Sequence, residues 1–109
     1  MFKKRFRLPW GIRFNNSRLI SVPLFTIKTK ENGLLFNRFS TVVSKKIDKR
    51  AVVRNRIKRI ISSCVEQLYK NLQQGYDILF VVKRGAVDKN RQYFYSAIRH
   101  SLESAGLVK

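Results

Sequence analysis

The chain has 109 residues, of which 44% are hydrophobic and 28% charged, and its 24 Lys and Arg residues face only 6 Asp and Glu residues, for a formal net charge of +18. This length suits a single domain spanning residues 1–109, and the apolar share is enough for a core. One cysteine excludes an internal disulfide, and the apolar runs are too short to span a bilayer. Because so large a charge opposes compaction by self-repulsion, we expect a polyanionic partner.

The N-terminal segment, residues 1–18, is basic and irregular. Its Pro9 and Gly11 limit any helix there to about two turns. No apolar stretch follows the first basic residues, so we expect a soluble, cytoplasmic protein without a signal peptide or a membrane partner. Residues 19–29 are rich in β-branched and aromatic side chains and predict a strand, in which Pro23 indicates an edge or a bulge.

A turn and a long helix are predicted next. Glu31-Asn32-Gly33 is typical of a hairpin turn, and residues 34–44 are predicted to return as a strand. A long helix is predicted over roughly residues 51–72, with Gly75 as a plausible stop. Its apolar positions recur at helical spacing: Ile57, Ile60, Ile61, Cys64, Val65, Leu68 and Leu72.

The last third of the chain predicts one strand and one helix. The continuous apolar run at residues 77–82 favours a strand covered on both faces. Asp88 could cap a helix over about residues 89–105, and Gly106 followed by Leu107 is typical of its end. The order of elements predicts an α+β fold built around one sheet.

The sequence offers little material for a catalytic site in the protein itself. Metal-dependent cleavage of a phosphodiester needs several carboxylates around the ions, and the acids are scattered. His100 is expected to be a solvated helix residue, with an RNA contact as the alternative, and Cys64 a small core residue without a nearby histidine. The six acids are Glu31, Asp48, Glu66, Asp77, Asp88 and Glu103.

The informative segment is residues 45–59, in which eight of fifteen residues are basic and one is acidic. Four of these cations, Arg54, Arg56, Lys58 and Arg59, fall in the first two turns of the long helix. The helix N-terminus already carries the positive end of the macrodipole, so the cations should destabilise the helix until an anion such as phosphate docks there. A solvated basic face that only keeps the protein soluble is the alternative.

The helical wheel places Arg54 and Lys58 in the sector that later turns bury. Burying two unpaired charges would cost several kcal/mol, so we expect the first turns to extend past the sheet towards a ligand. Aromatic residues near the basic ones, Trp10, Phe14 and Phe25, are either stacking platforms for single-stranded nucleic acid or ordinary core.

The motif Val43-Ser44-Lys45-Lys46, followed after seven residues by Arg-Asn-Arg-Ile-Lys-Arg-Ile-Ile at positions 54–61, resembles the signature of the bacterial ribonuclease P protein subunit. The resemblance covers about residues 5–105. It implies a two-layer α-β sandwich with one mixed sheet of about four strands and about three helices. It also implies a left-handed βαβ crossover, of the type of the second domain of ribosomal protein S5.

This resemblance implies a non-catalytic subunit of a ribonucleoprotein enzyme that removes the 5′ leader of precursor tRNA. The RNA subunit would carry the hydrolysis, with Mg²⁺ held mainly by the RNA and the substrate, and with no metal site in the protein and no protein partner required. One face of the protein would dock on the catalytic RNA, through Lys45, Lys46, Lys49, Arg50, Arg54, Asn55, Arg56, Lys58 and Arg59.

The resemblance also implies a cleft between the sheet and the helices that holds the single-stranded leader. Phe25 matches the strand aromatic of that cleft, and Phe14 and Trp10 stand in for the two aromatics of the family's first helix. The chain departs from the family in a shorter first helix and in Phe39-Ser40-Thr41, where the family usually has a glycine.

Two other functions remain open from the sequence. A structural RNA-binding protein of ribosomal type would have the same charge, and it would not stimulate cleavage of precursor tRNA. An independent nuclease would have to cut RNA in magnesium without any RNA subunit.

Overall fold

A computed structural model describes Arg7, Leu8 and residues 17–109, and in this part of the chain two α-helices pack against one four-stranded sheet. The 1–18 helix expected from the sequence therefore lies largely outside the described residues, as do Trp10 and Phe14. The elements are β1 (Arg18–Ser21), β2 (Phe25–Glu31), β3 (Arg38–Val42), α1 (Ala51–Leu68), β4 (Tyr76–Val82) and α2 (Arg91–Ser104), with 3₁₀ turns at Tyr69–Asn71 and Arg84–Ala86.

The strands lie in the order β1-β2-β4-β3. Strand β2 is antiparallel to both β1 and β4, whereas β3 is parallel to β4. Because β3 and β4 are parallel neighbours joined through α1, they form a βαβ crossover. The predicted α+β sandwich with one mixed four-stranded sheet is confirmed, with two α-helices in the described part instead of about three; the left hand of the crossover stays a prediction.

The predicted hairpin after β2 is wrong, and the hairpin lies one element earlier. Residues 19–29 divide into β1 and β2 around Pro23, and β4 separates β2 from β3. The Asn32 side chain explains the turn signal: its amide nitrogen donates to the carbonyl oxygen of Phe36 at 3.1 Å and to Asp77 Oδ1 at 3.0 Å. The turn therefore leads the chain past β4, whose apolar run takes the centre of the sheet.

The core lies between one face of the sheet and the two helices. Phe25 and Ile27 of β2 face Val82 and Phe80 of β4 in register, and all four are buried. No helix in the described ranges is both long enough and apolar enough to cross a membrane. The helices contribute Ile57, Ile61, Cys64, Val65, Leu68, Phe94, Ile98 and Leu102.

The helix ends follow their capping residues. Asn90, and not Asp88, caps α2, because its side-chain oxygen accepts from the backbone N–H of Tyr93 at 3.0 Å. The predicted end of α2 is confirmed: Gly106 has a φ of 75°, and Leu107 N–H donates to the carbonyl oxygen of Leu102 at 2.9 Å.

Candidate nucleic-acid interface

The basic segment 45–59 forms a turn and the first two turns of α1. The turn is closed by a hydrogen bond from Ile47 N–H to the carbonyl oxygen of Ser44, at 3.0 Å. Arg50 precedes the first helical residue without a side-chain cap, and the first turn of α1 contains no acidic residue. No carboxylate of the helix itself therefore offsets the positive end of the helix dipole.

Three arginines of the segment turn back onto the protein. The Arg50 guanidinium donates two hydrogen bonds to the Asp48 carboxylate, at 3.1 and 2.8 Å. This contact lowers the pKa of Asp48 to about 2 and raises the pKa of Arg50. Arg54 Nη1 donates to the carbonyl oxygens of Asp48 and Lys49, at 3.0 and 2.7 Å. Arg56 Nη2 donates to the carbonyl oxygen of Lys89 at 3.3 Å, which joins α1 to the loop before α2. These contacts hold the basic loop against the helix.

The half-buried Arg54 resolves the problem posed by the helical wheel. Its guanidinium stays out of the core because it donates hydrogen bonds to the loop carbonyl oxygens of residues 48 and 49. The other members of the predicted set make no side-chain hydrogen bond or ion pair within the described ranges, and all but Lys58 are exposed: Lys45, Lys46, Lys49, Asn55, Lys58 and Arg59. We call these six residues the basic surface.

A groove of about 230 Å³ opens beside the basic surface, between α1 and β3. Lys58 lies on its helix wall, while the buried rings of Phe39 and Phe80 contribute to its floor. We call it the α1 groove; its remaining lining residues are Arg7, Leu8, Ser40, Thr41, Ile61, Ser62 and Val65. The groove joins apolar and hydroxyl groups to two cationic residues, Lys58 and Arg7.

Phe25 is not among the residues that line the α1 groove. Its ring is fully buried and meets Phe80 edge to face, with 5.7 Å between the ring centroids. Phe25 therefore packs beside Phe80 on the same face of the sheet, and its contact with an RNA leader stays a prediction. Sequence reasoning missed Ser40 and Ser62, whose place in the groove depends on the packing of α1 over β3.

The described part of the chain contains no group of three or more His, Cys, Asp or Glu side chains placed to hold a metal ion. Asp77 and Asp48 are bound to arginines on different elements. His100 is exposed on α2, and burial raises the pKa of the Cys64 thiol, which reduces its nucleophilic character.

Comparisons with known proteins agree on one family. The family model described as Ribonuclease P matches residues 10–106. The ribonuclease P protein component of Alkaliphilus oremlandii is 39% identical over 85 residues, which is 78% of this chain and 74% of that protein. That of Microcystis aeruginosa is 32% identical over 98 residues, covering 90% of this chain and 80% of that protein.

Solved structures support the fold. The Staphylococcus aureus RNase P protein superposes with a TM-score of 0.85 at 23% identity, covering 95% of this chain and 98% of that chain. The RNase P protein of Thermotoga maritima, solved in complex with 1-(4-fluorophenyl)-2-thiourea, superposes with a TM-score of 0.68 at 21% identity. The match covers 84% of this chain and 85% of that chain.

Proposed function

Because the chain belongs to the ribonuclease P protein family, we propose that its basic surface binds the catalytic RNA of ribonuclease P. One observation supports this most strongly. Five cations and Asn55 lie on the loop and first turns of α1, and their side chains have no partner in the described part of the protein. Phosphates would supply the missing anions, and Arg and Lys side chains are their usual ligands.

We further propose that the α1 groove receives the single-stranded 5′ leader of precursor tRNA. Lys58 connects the two regions, since it belongs to the basic surface and also lines the groove. A narrow groove with a cation at its edge suits a single strand, whose backbone follows the charge while its bases enter the apolar part. Phe25 and the N-terminal aromatics Trp10 and Phe14 remain the predicted neighbours of this strand.

The protein would assist magnesium-dependent removal of the leader without performing the hydrolysis. In this proposal the Mg²⁺ ions are held mainly by the RNA subunit and the substrate, which agrees with the scattered acids of the described residues. In this proposal the protein works in the cytoplasm with the catalytic RNA and precursor tRNA, and no protein partner is required.

Substituting Lys58→Ala is expected to remove most of the preference for a leader. The measurement is the Kd of the reconstituted enzyme for precursor tRNA with a leader of several nucleotides and for the same tRNA without one. Wild-type protein should favour the leader, and the Lys58→Ala variant should lose most of that difference because one leader phosphate loses its cation.

Lys70→Ala is the matched control, because Lys70 is an exposed lysine in the 3₁₀ turn beyond the other end of α1. This variant should keep the wild-type leader preference. A Lys58→Ala variant that binds both RNAs as the wild type does would contradict the assignment of the α1 groove to the leader.

A further inference from the structure

A second groove lies between the β1–β2 turn and the outer side of α2. Its volume is about 570 Å³, larger than that of the α1 groove, with which it shares no lining residue. We call it the α2 groove; it is lined by Val22, Pro23, Leu24, Asn90, Gln92, Tyr93, Ser96, Ala97 and His100.

The wall formed by the β1–β2 turn is held in place by backbone contacts. Val22 N–H donates to the carbonyl oxygen of Phe25 at 3.0 Å, and Lys83 N–H donates to that of Leu24 at 2.8 Å. Gly85 packs so closely that a Cβ atom there would lie 2.7 Å from the carbonyl oxygen of Pro23. Because the backbone is already fixed, a ligand would enter the groove without ordering its wall.

The chemistry of the α2 groove suits a flat heterocycle. Tyr93 is 53% exposed, and the Lys89 ammonium stands over its ring at 4.9 Å from the centroid. Since Lys89 occupies one face of the ring, a ligand would stack on the other. Gln92, Ser96 and His100 add amide, hydroxyl and imidazole groups that can hydrogen-bond to the edge of a base.

The surrounding charge favours a ligand that carries phosphate. Lys83 contacts the Ser21 hydroxyl beside the turn, and Arg84 and Lys89 lie in the loop before α2, where Asp88 is the one acid. The hydrogen bond from Arg56 to the Lys89 carbonyl ties this loop to the start of α1. The loop that carries Lys89 is therefore joined to the first turns of α1, which also carry part of the basic surface.

We propose that the α2 groove binds one unstacked nucleotide of single-stranded RNA, with its base on Tyr93 and its phosphates on Lys83 and Lys89. The proposal rests on the RNA-binding role proposed above, and it adds a site separate from the basic surface and the α1 groove. Base–aromatic stacking accepts any base, so the stacking on Tyr93 would not by itself select a sequence.

The test is an NMR titration of the ¹⁵N-labelled full chain with a short oligoadenylate. The amides of Val22, Leu24 and residues 90–100 should shift, and Tyr93→Ala should weaken the Kd measured from these shifts about fivefold or more. Tyr93→Phe is the matched control, because it keeps the ring and should keep most of the affinity. The spectra themselves show whether each variant is folded.

Three results would overturn the proposal: shifts confined to residues 45–59 and the α1 groove, wild-type affinity in Tyr93→Ala, or the same shifts with inorganic phosphate alone. The titration is independent of the cleavage reaction. Groove shifts without stimulation of ribonuclease P RNA would contradict only the proposed function, and stimulation without groove shifts would contradict only this inference.

Discussion

Replacing Lys45, Lys46 and Arg59 together with alanine is expected to weaken binding to the catalytic RNA about 100-fold at low salt. These three side chains belong to the basic surface and have no hydrogen bond or ion pair in the described part of the chain, so the fold should be unaffected. Each lost phosphate contact should also lower the slope of log K against log salt by about 0.7 to 0.9. Filter binding at a series of salt concentrations measures both quantities.

The matched control removes the same charge elsewhere. Lys28, Lys70 and Lys109 lie outside the basic surface, and replacing them with alanine gives the same net charge as the first variant. This control should bind the catalytic RNA nearly as well as the wild type does. Equal losses in the two variants would mean that total charge alone drives binding, and the basic surface would then not be a specific interface.

Replacing Asp77 with alanine is expected to lower the free energy of unfolding by about 3 kcal/mol. Asp77 is fully buried on β4, and Arg38 of β3 holds both carboxylate oxygens at 2.8 Å. The same contact raises the pKa of Arg38. The Asn32 amide nitrogen also loses one of its two acceptors when the carboxylate is removed, and it keeps the Phe36 carbonyl oxygen. The Arg38 side chain is 20% exposed, so water compensates part of the loss.

Urea unfolding followed by circular dichroism measures this loss of unfolding free energy. A double-mutant cycle shows how much of the loss comes from the Arg38–Asp77 pair. Arg38→Ala alone leaves the buried carboxylate unpaired, so the double variant Arg38→Ala with Asp77→Ala should be more stable than the sum of the single losses indicates. An Asp77→Ala variant within about 0.5 kcal/mol of the wild type would show that the pair does not stabilise the β3–β4 junction.

The sequence predicted the elements better than their arrangement. Helix α1, strand β4 and the end of α2 at Gly106 follow local patterns, and each is present close to its predicted bounds. The position of β4 between β2 and β3 depends on contacts between distant residues, such as Asp77 with Arg38, 39 positions earlier. The hairpin signal at Asn32 was misleading because its side chain bonds to β4.

The candidate site also has a part that local sequence predicts and a part that depends on contacts between distant residues. The basic segment 45–59 is visible from sequence because its residues are consecutive and their charge is unusual. The alternation of side chains along β2 indicates which face of the sheet Phe25 lies on. Only the structure, in which Phe80 packs against it, shows that the Phe25 ring has no exposed surface. The two grooves combine residues from separate segments, so spacing alone could not identify them.

Cleavage of precursor tRNA by the cognate ribonuclease P RNA at low magnesium, with and without this protein, tests the central claim most directly. The proposed function predicts strong stimulation by the protein and no cleavage by the protein alone. Absence of stimulation would contradict the subunit role and favour a structural RNA-binding protein of ribosomal type. Magnesium-dependent cleavage by the protein alone would contradict catalysis by the RNA.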